Sequence, residues 1–160
     1  PLPEAQLDRF LFKLLIPYPS LEEETRIVAR YGERSGLPTP AELGIAAVAS
    51  PALLDAAVAA VRTVTLADSV TEYVVRLVRA TRESPDLACG ASPRAAVLLA
   101  SAARARAALD GRDYVVPDDV KSLATAVLRH RLLLSPAAEI EGKQVEALVA
   151  DLVRQTEAPR

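Results

Sequence analysis

The chain has 160 residues, enough for one domain or for a small domain plus part of another. Hydrophobic residues make up 51% but aromatic ones only 4%, so a core has to be built from Ala, Val and Leu, which suits closely packed helices. A net charge of −2 and a pI of about 5.5 exclude a bulk attraction to nucleic acid or anionic membrane, and the single cysteine excludes an internal disulfide.

The opening PLPEAQLDRF has neither a basic start nor an apolar run, so no signal peptide is legible in it, and a start on Pro1 without Met suggests an excised piece. Pro3 and Glu4 suit the start of a helical turn. FLFKLLI (10–16) reads as a short buried strand closed by Pro17 and Pro19, although periodicity alone does not separate it from helix. A strand cannot satisfy its own backbone, so its sheet is expected outside these residues. Residues 1–17 are then expected to be disordered or paired with another chain.

From Ser20 onward the chain reads as helix after helix. Ser20 and Glu23 form a capping box, with Leu21, Ile27, Val28 and Tyr31 on one face and Gly36–Pro38 as the stop. LPTPAELGIAAVAS is an irregular connection with room for one helical turn. Ser50–Pro51 open a helix with a buried stripe of Leu54, Ala57, Val58 and Val61. Ser69 and Glu72 form a second capping box ahead of Val70, Tyr73, Val74, Leu77 and Val78. On the other face stand Arg76, Arg79 and Arg82, read as a solvated face partly neutralised by Glu72 and Glu83. The apolar runs 44–61 and 95–103 are respectively broken by Pro51 and Asp55 and too short to span a membrane.

The next helix carries one oddity. In CGASPRAAVLLASAARARAAL (89–109), Ser92 suits the N-cap and Pro93 the first helical position. Arg94 then puts a full positive charge where the helix dipole is already positive. Either Arg94 bends into solvent, at a few tenths of a kcal/mol, or the first-turn N–H groups and its guanidinium converge on a phosphate. Asp110–Gly111 makes a turn, and Tyr114–Val116 is briefly extended. Pro117 starts a helix with Asp118 and Asp119 in its first turn and Val120, Leu123, Ala124, Val127 and Leu128 as its core face. A last helix over about 142–156 buries Val145, Leu148, Val149, Leu152 and Val153.

Little of this is chemistry. His130 stands between Arg129 and Arg131 with no metal-ligating partner at the right spacing, so its role is structural or superficial. Cys89 is read as a buried structural thiol. There is no glycine-rich phosphate loop and no nucleophile elbow.

Three stretches carry a resemblance: LPEAQLDRF (2–10), GASPRA (90–95) and GRDYVVPDDVKSLATAVLRHRL (111–132). In this order and spacing they resemble the C-terminal part of MoxR-family AAA+ ATPases, over essentially the whole chain and most weakly over 37–66. The resemblance implies an all-α, lid-type helical bundle over 20–160. Residues 1–19, a helical turn plus one strand, would be the remnant of an α/β nucleotide-binding core. It implies that Arg94 is the sensor 2 arginine, with Ser92 and Pro93 beside the nucleotide, and that Arg9 is an arginine finger acting in trans. For Arg9 the residues alone favour a helix-end cation beside Asp8.

The intact protein would bind ATP and Mg²⁺ and hydrolyse ATP in a ring, usually a hexamer. It would be cytoplasmic and act as a chaperone-like factor in maturation or metal-cofactor insertion, with clients that include von Willebrand factor A domains. Walker A, Walker B and sensor 1 would lie upstream of Pro1, so this chain is expected to hold no nucleotide or metal tightly and to be inactive alone. The competing readings are a stand-alone helical interaction module and, on the Arg76–Arg79–Arg82 face, a salt-sensitive DNA binder.

Overall fold

Val70, Tyr73, Val74, Leu77 and Val78 recur at three- and four-residue spacing, and all five are buried, as is Thr81 on the same helix. That helix is the centre of a computed structural model describing residues 3–33, 36 and 38–159. Leu2 of the first resembling stretch and Leu37 of the connection lie outside the described residues. In chain order the elements are α1 (Glu4–Leu7), α2 (Leu21–Tyr31), α3 (Pro51–Thr63), α4 (Asp68–Glu83), β1 (Leu87–Cys89), α5 (Pro93–Leu109), α6 (Pro117–Leu128), β2 (Leu133–Leu134), α7 (Pro136–Ile140) and α8 (Val145–Gln155). The all-α expectation holds. β1 and β2 form one small antiparallel ladder, Leu87 opposite Leu134 and Cys89 opposite Leu133.

The chain divides into two compact units, residues 1–14 with 57–160, and residues 15–56. The first holds the core. α5 contributes Ala95, Leu99, Ala103 and Ala107, whose small side chains let it lie close against its neighbours. α6 adds Val120, Ala124, Val127 and Leu128, and α8 adds Leu148 and Val149. Each fully buried Leu or Val is worth roughly 1.5–3 kcal/mol relative to exposure.

The stretch GRDYVVPDDV turns out to be a clasp between α5 and α6. Gly111 has φ +75°, a left-handed turn that a side chain would strain. Arg112 then reaches over the turn, Nη2 donating to Asp119 Oδ1 at 2.6 Å, and Nη1 to Asp119 Oδ2 at 2.8 Å and to the Tyr114 carbonyl at 3.1 Å. Asp119 Oδ2 also accepts the Val116 N–H at 2.9 Å, capping α6. The same loop is tied to residue 65, the Thr65 N–H donating to Asp113 O and the Val115 N–H to Thr65 O.

Residues 15–56 are different in kind. The Ser20–Glu23 capping box forms as read, Ser20 Oγ accepting the Glu23 N–H and Glu23 Oε2 accepting the Ser20 N–H. A turn occupies residues 40–44. Yet none of the described residues of this unit is buried, so the expected core residues of α2 (Leu21, Ile27, Val28) and Leu54 at the start of α3 stay in solvent. Amphipathic spacing states which face seeks cover; it does not guarantee that this chain supplies the cover.

Other local expectations are corrected. FLFKLLI forms no strand: its Phe10 and Leu11 carbonyls are taken by the side chains of His130 and Arg131, and the Lys13 N–H by Ala126 O. Residues 8–13 therefore find partners within the chain. Ser69 and Glu72 make no capping box, because α4 starts two residues earlier, behind Ala67, and Glu72 faces Arg76 instead. α2 ends at Gly32, ahead of Gly36. Cys89 is exposed, since β1 lies at the surface. β1, β2 and α7 are too short for periodicity to announce.

Asp119 makes the clasp testable. Burial alone would raise its pKa, but the Arg112 hydrogen bonds and the Val116 N–H outweigh burial and hold it below the ordinary 3.8. A depressed carboxylate gives its full stability above the unfolded pKa and loses it as pH falls through the lower folded value. Asp119→Ala is expected to cost about 2–4 kcal/mol, read as a thermal midpoint about 5–15 °C lower at pH 7. The difference from wild type should shrink below about pH 4. A variant with the wild-type midpoint at pH 7 contradicts the clasp.

Candidate functional site

The start of α5 is fixed by what precedes it. Thr81 of α4 is fully buried; its hydroxyl donates to Val78 O at 2.6 Å and accepts the Ala91 N–H at 2.9 Å. Arg82 Nη1 donates to Ala91 O at 2.8 Å. Gly90 lies so close to α4 that a Cβ there would stand 2.7 Å from the Arg82 Cα, so the position excludes any side chain. With Gly90 and Ala91 pinned, Ser92 takes the extended conformation of an N-cap and Pro93 follows as the first helical residue.

The cap itself is not made. Ser92 Oγ turns away from the helix and donates to the Asp8 carboxylate, 3.2 and 3.3 Å from its two oxygens. α5 also has no acidic residue in its first turn. Every other helix of more than two turns in the described residues has one or the other. Ser50 caps α3, Ser20 and Glu23 cap α2, Asp119 caps α6, and α4 and α8 carry Asp68 and Glu146. Arg94, exposed in the α5 first turn, makes no hydrogen bond or ion pair with the described residues. Among the described long helices, the start of α5 is thus the one with neither a side-chain cap nor an acidic residue in its first turn, and it carries an added positive charge.

Asp8 connects this end to the turn after α1. Arg131 Nε donates to Asp8 Oδ1 at 3.0 Å, and the Arg131 side chain is only 1% exposed. Its Nη2 donates to the carbonyls of Asp8, at 2.9 Å, and Phe10, and its Nη1 to those of Leu11, at 3.3 Å, and Val127. Burial presses the Arg131 pKa down, Asp8 opposes that, and the nearby charge of Arg94 adds to the downward push. His130 Nε2 lies 2.9 Å from Phe10 O; a carbonyl only accepts, so Nε2 carries the proton. His130 Nδ1 is buried without a partner among the described residues, and burial, more than any nearby charge, lowers its pKa.

Between these parts lies a cleft of about 360 Å³, walled by Leu7, Asp8, Gly90, Ser92, His130 and Arg131 among others. Arg9 is exposed and, like Arg94, has no partner among the described residues. The structure therefore brings Ser92 to Asp8, the neighbour of Arg9, and leaves both expected phosphate-directed arginines free. Sequence reading passed over Arg131 and gave Asp8 no role beyond standing next to Arg9; an arginine directly after an apolar helix is the only signal that could have marked the former.

The alternatives find less. Arg76 and Arg79 pair with Glu72 and Glu83 at 3.7 and 3.5 Å, and Arg82 is spent on Ala91 O, so the expected neutralised face is what forms. Among the described residues no group of three His, Cys, Asp or Glu side chains could hold a metal, and no helix is long and apolar enough to cross a membrane.

Comparison with known proteins places this geometry. The AAA lid domain family matches residues 79–152, from mid-α4 through α8. The chain is 42% identical to the protein YeaC of Bacillus subtilis over 159 residues, covering 99% of this chain and 48% of that one. It is 39% identical to the chaperone MoxR1 of Mycobacterium tuberculosis over 169 residues, covering 100% of this chain and 43% of that one. A crystal structure of a candidate ATPase from Cytophaga hutchinsonii superposes over the whole chain with a TM-score of 0.83 at 30% identity, half of that chain being covered. The chain thus spans less than half the length of these two relatives. From the lid match, the relatives and the superposition together, this chain carries a lid domain of the MoxR type of AAA+ proteins.

Proposed function

We propose that this chain supplies two arginines to the ATP-hydrolysing centres of a ring-forming MoxR-type ATPase. Arg94, with Ser92 and Pro93 at its helix start, is the sensor 2 group facing the nucleotide of its own subunit. Arg9 is the arginine finger facing the nucleotide of a neighbour. The observation that carries this reading is the uncapped, acid-free start of α5 with an unpaired arginine in its first turn. A phosphate there would be met by backbone N–H, helix dipole and guanidinium together. Arg9 has the matching property of a free cation on a turn whose backbone is held from behind.

Within this reading residues 1–19 belong to the nucleotide-binding core of the whole protein and 20–160 to its lid. ATP supplies the phosphoryl group, and Mg²⁺ accompanies it. The residues present fit only the phosphate end of that group: the sequence has no glycine-rich phosphate loop, and among the described residues no group of three His, Cys, Asp or Glu side chains could hold the metal, so the chain alone is expected to be inactive. The ring is a hexamer in the cytoplasm. Likeness to a chaperone, MoxR1, supports a chaperone-like role in maturation or metal-cofactor insertion, with von Willebrand factor A domain proteins as clients. The exposed apolar residues of α2 and α3, Leu21, Ile27, Val28, Leu53, Leu54 and Val58, favour a second reading as a helical docking module without nucleotide chemistry.

Two substitutions in the full-length protein separate these readings. Arg94→Ala is expected to lower ATP turnover about 10-fold or more and to weaken the preference for ATP over ADP; unchanged turnover and affinities sink the sensor assignment. Arg9→Ala is expected to lower turnover about 10³-fold while each subunit still binds ATP. Mixing it with a Walker-defective subunit should restore part of the activity, because the intact finger then serves the intact site. No recovery on mixing contradicts action in trans.

A further inference from the structure

Arg9 has no side-chain partner among the described residues, but the residues around it are held more firmly than a surface turn needs. The Arg131 side chain, almost wholly withdrawn from solvent, spends its donors on the Asp8 carboxylate and on the carbonyls of Asp8, Phe10 and Leu11. Those carbonyls flank Arg9 on both sides. The fourth carbonyl, Val127 O, belongs to α6, so the same guanidinium that grips the turn is itself anchored on the lid core. His130 adds a second bond to Phe10 O, and Lys13 N–H a backbone bond to Ala126 O. Asp8, finally, is shared: one partner is Arg131 and the other is Ser92, two residues from Arg94.

We propose that Asp8 and Arg131 are positioning residues for Arg9, and that Asp8, through Ser92, locks the Arg9 turn to the first turn of α5. A shift of the α5 start, where Arg94 stands, is then passed to the turn that carries Arg9. This rests on the reading of Arg9 as the finger. The physical need is simple: a finger acts only when its guanidinium is placed within about an ångström, and an unsupported exposed turn cannot give that. Arginine suits the task at 131 because its planar fork serves several carbonyls and a carboxylate at once, which a lysine cannot.

Two measurements keep the proposal separate from the reading beneath it. The first needs no nucleotide. Asp8→Asn in the full-length protein should raise amide exchange at Arg9, Phe10 and Lys13 about 10-fold or more, with the amides of α4 unchanged. Ser92→Ala, which removes only a hydroxyl, should raise exchange at Arg9 about 3-fold and serves if Asp8→Asn does not fold. Unchanged exchange in the folded variants overturns the proposal whatever Arg9 does.

The second is turnover. Asp8→Asn and Arg131→Lys should each lower kcat about 10-fold with KM for ATP unchanged, and neither should lower it further when Arg9 is already Ala. An equal loss in the Arg9→Ala background refutes positioning. A wild-type kcat in Arg9→Ala itself refutes the finger reading, and the exchange result then decides alone whether the lock exists.

Discussion

The lid depends on a buried guanidinium. Moving a charge of this size out of water costs several kcal/mol even after relaxation, and the cost is recovered only when every donor is met. Arg131 meets it with one carboxylate and four carbonyls drawn from two separate stretches of chain. Satisfying one side chain therefore fixes the path of residues 8–11 against the end of α6. It also occupies the Phe10 and Leu11 carbonyls of FLFKLLI, two of those a strand would offer a neighbour.

Around that anchor, the other constraints are short-range and steric. Gly90 brings the chain within a side chain's breadth of α4, Thr81 and Arg82 take the N–H and carbonyl of Ala91, and α5 has to begin where it does. The Arg112–Asp119 clasp then sets how α6 leaves α5, and Ala95, Leu99, Ala103 and Ala107 let the helices close. The resembling stretches GASPRA and GRDYVVPDDV are thus structural before they are functional. Arg112 and Asp119 are tied into the fold, whereas Arg94, the charged residue of GASPRA, stays exposed.

The sequence was informative where a signal spans two turns or more. The stripe of α4, the core face of α6 and the capping box of α2 can be read from residue types alone, because each repeats a helical period or a fixed four-residue motif. It was misleading where the outcome depended on what lies opposite. Leu21, Ile27, Val28, Leu54 and Val58 of α2 and α3 have helical apolar spacing like that of α4 but stay exposed, and Cys89 is exposed on its three-residue surface strand. At the candidate site, the wrong-sign charge of Arg94 was legible as a local conflict. The Asp8–Arg131 pair was not, since it joins residues 123 apart and neither has a distinctive neighbourhood.

The account turns on whether a helix end that refuses a cap does so to leave room for a phosphate. Ser92 could have capped α5 and instead donates to Asp8, so the hydrogen bond that leaves this terminus open also ties it to the residue beside Arg9. The most direct test is a structure of the full-length protein with a non-hydrolysable ATP analogue. The account predicts the Arg94 guanidinium within hydrogen-bonding distance of the terminal phosphate and the Ser92–Asp8–Arg131 contacts retained. Arg94 left in solvent, with the phosphate contacted only from elsewhere, would contradict it.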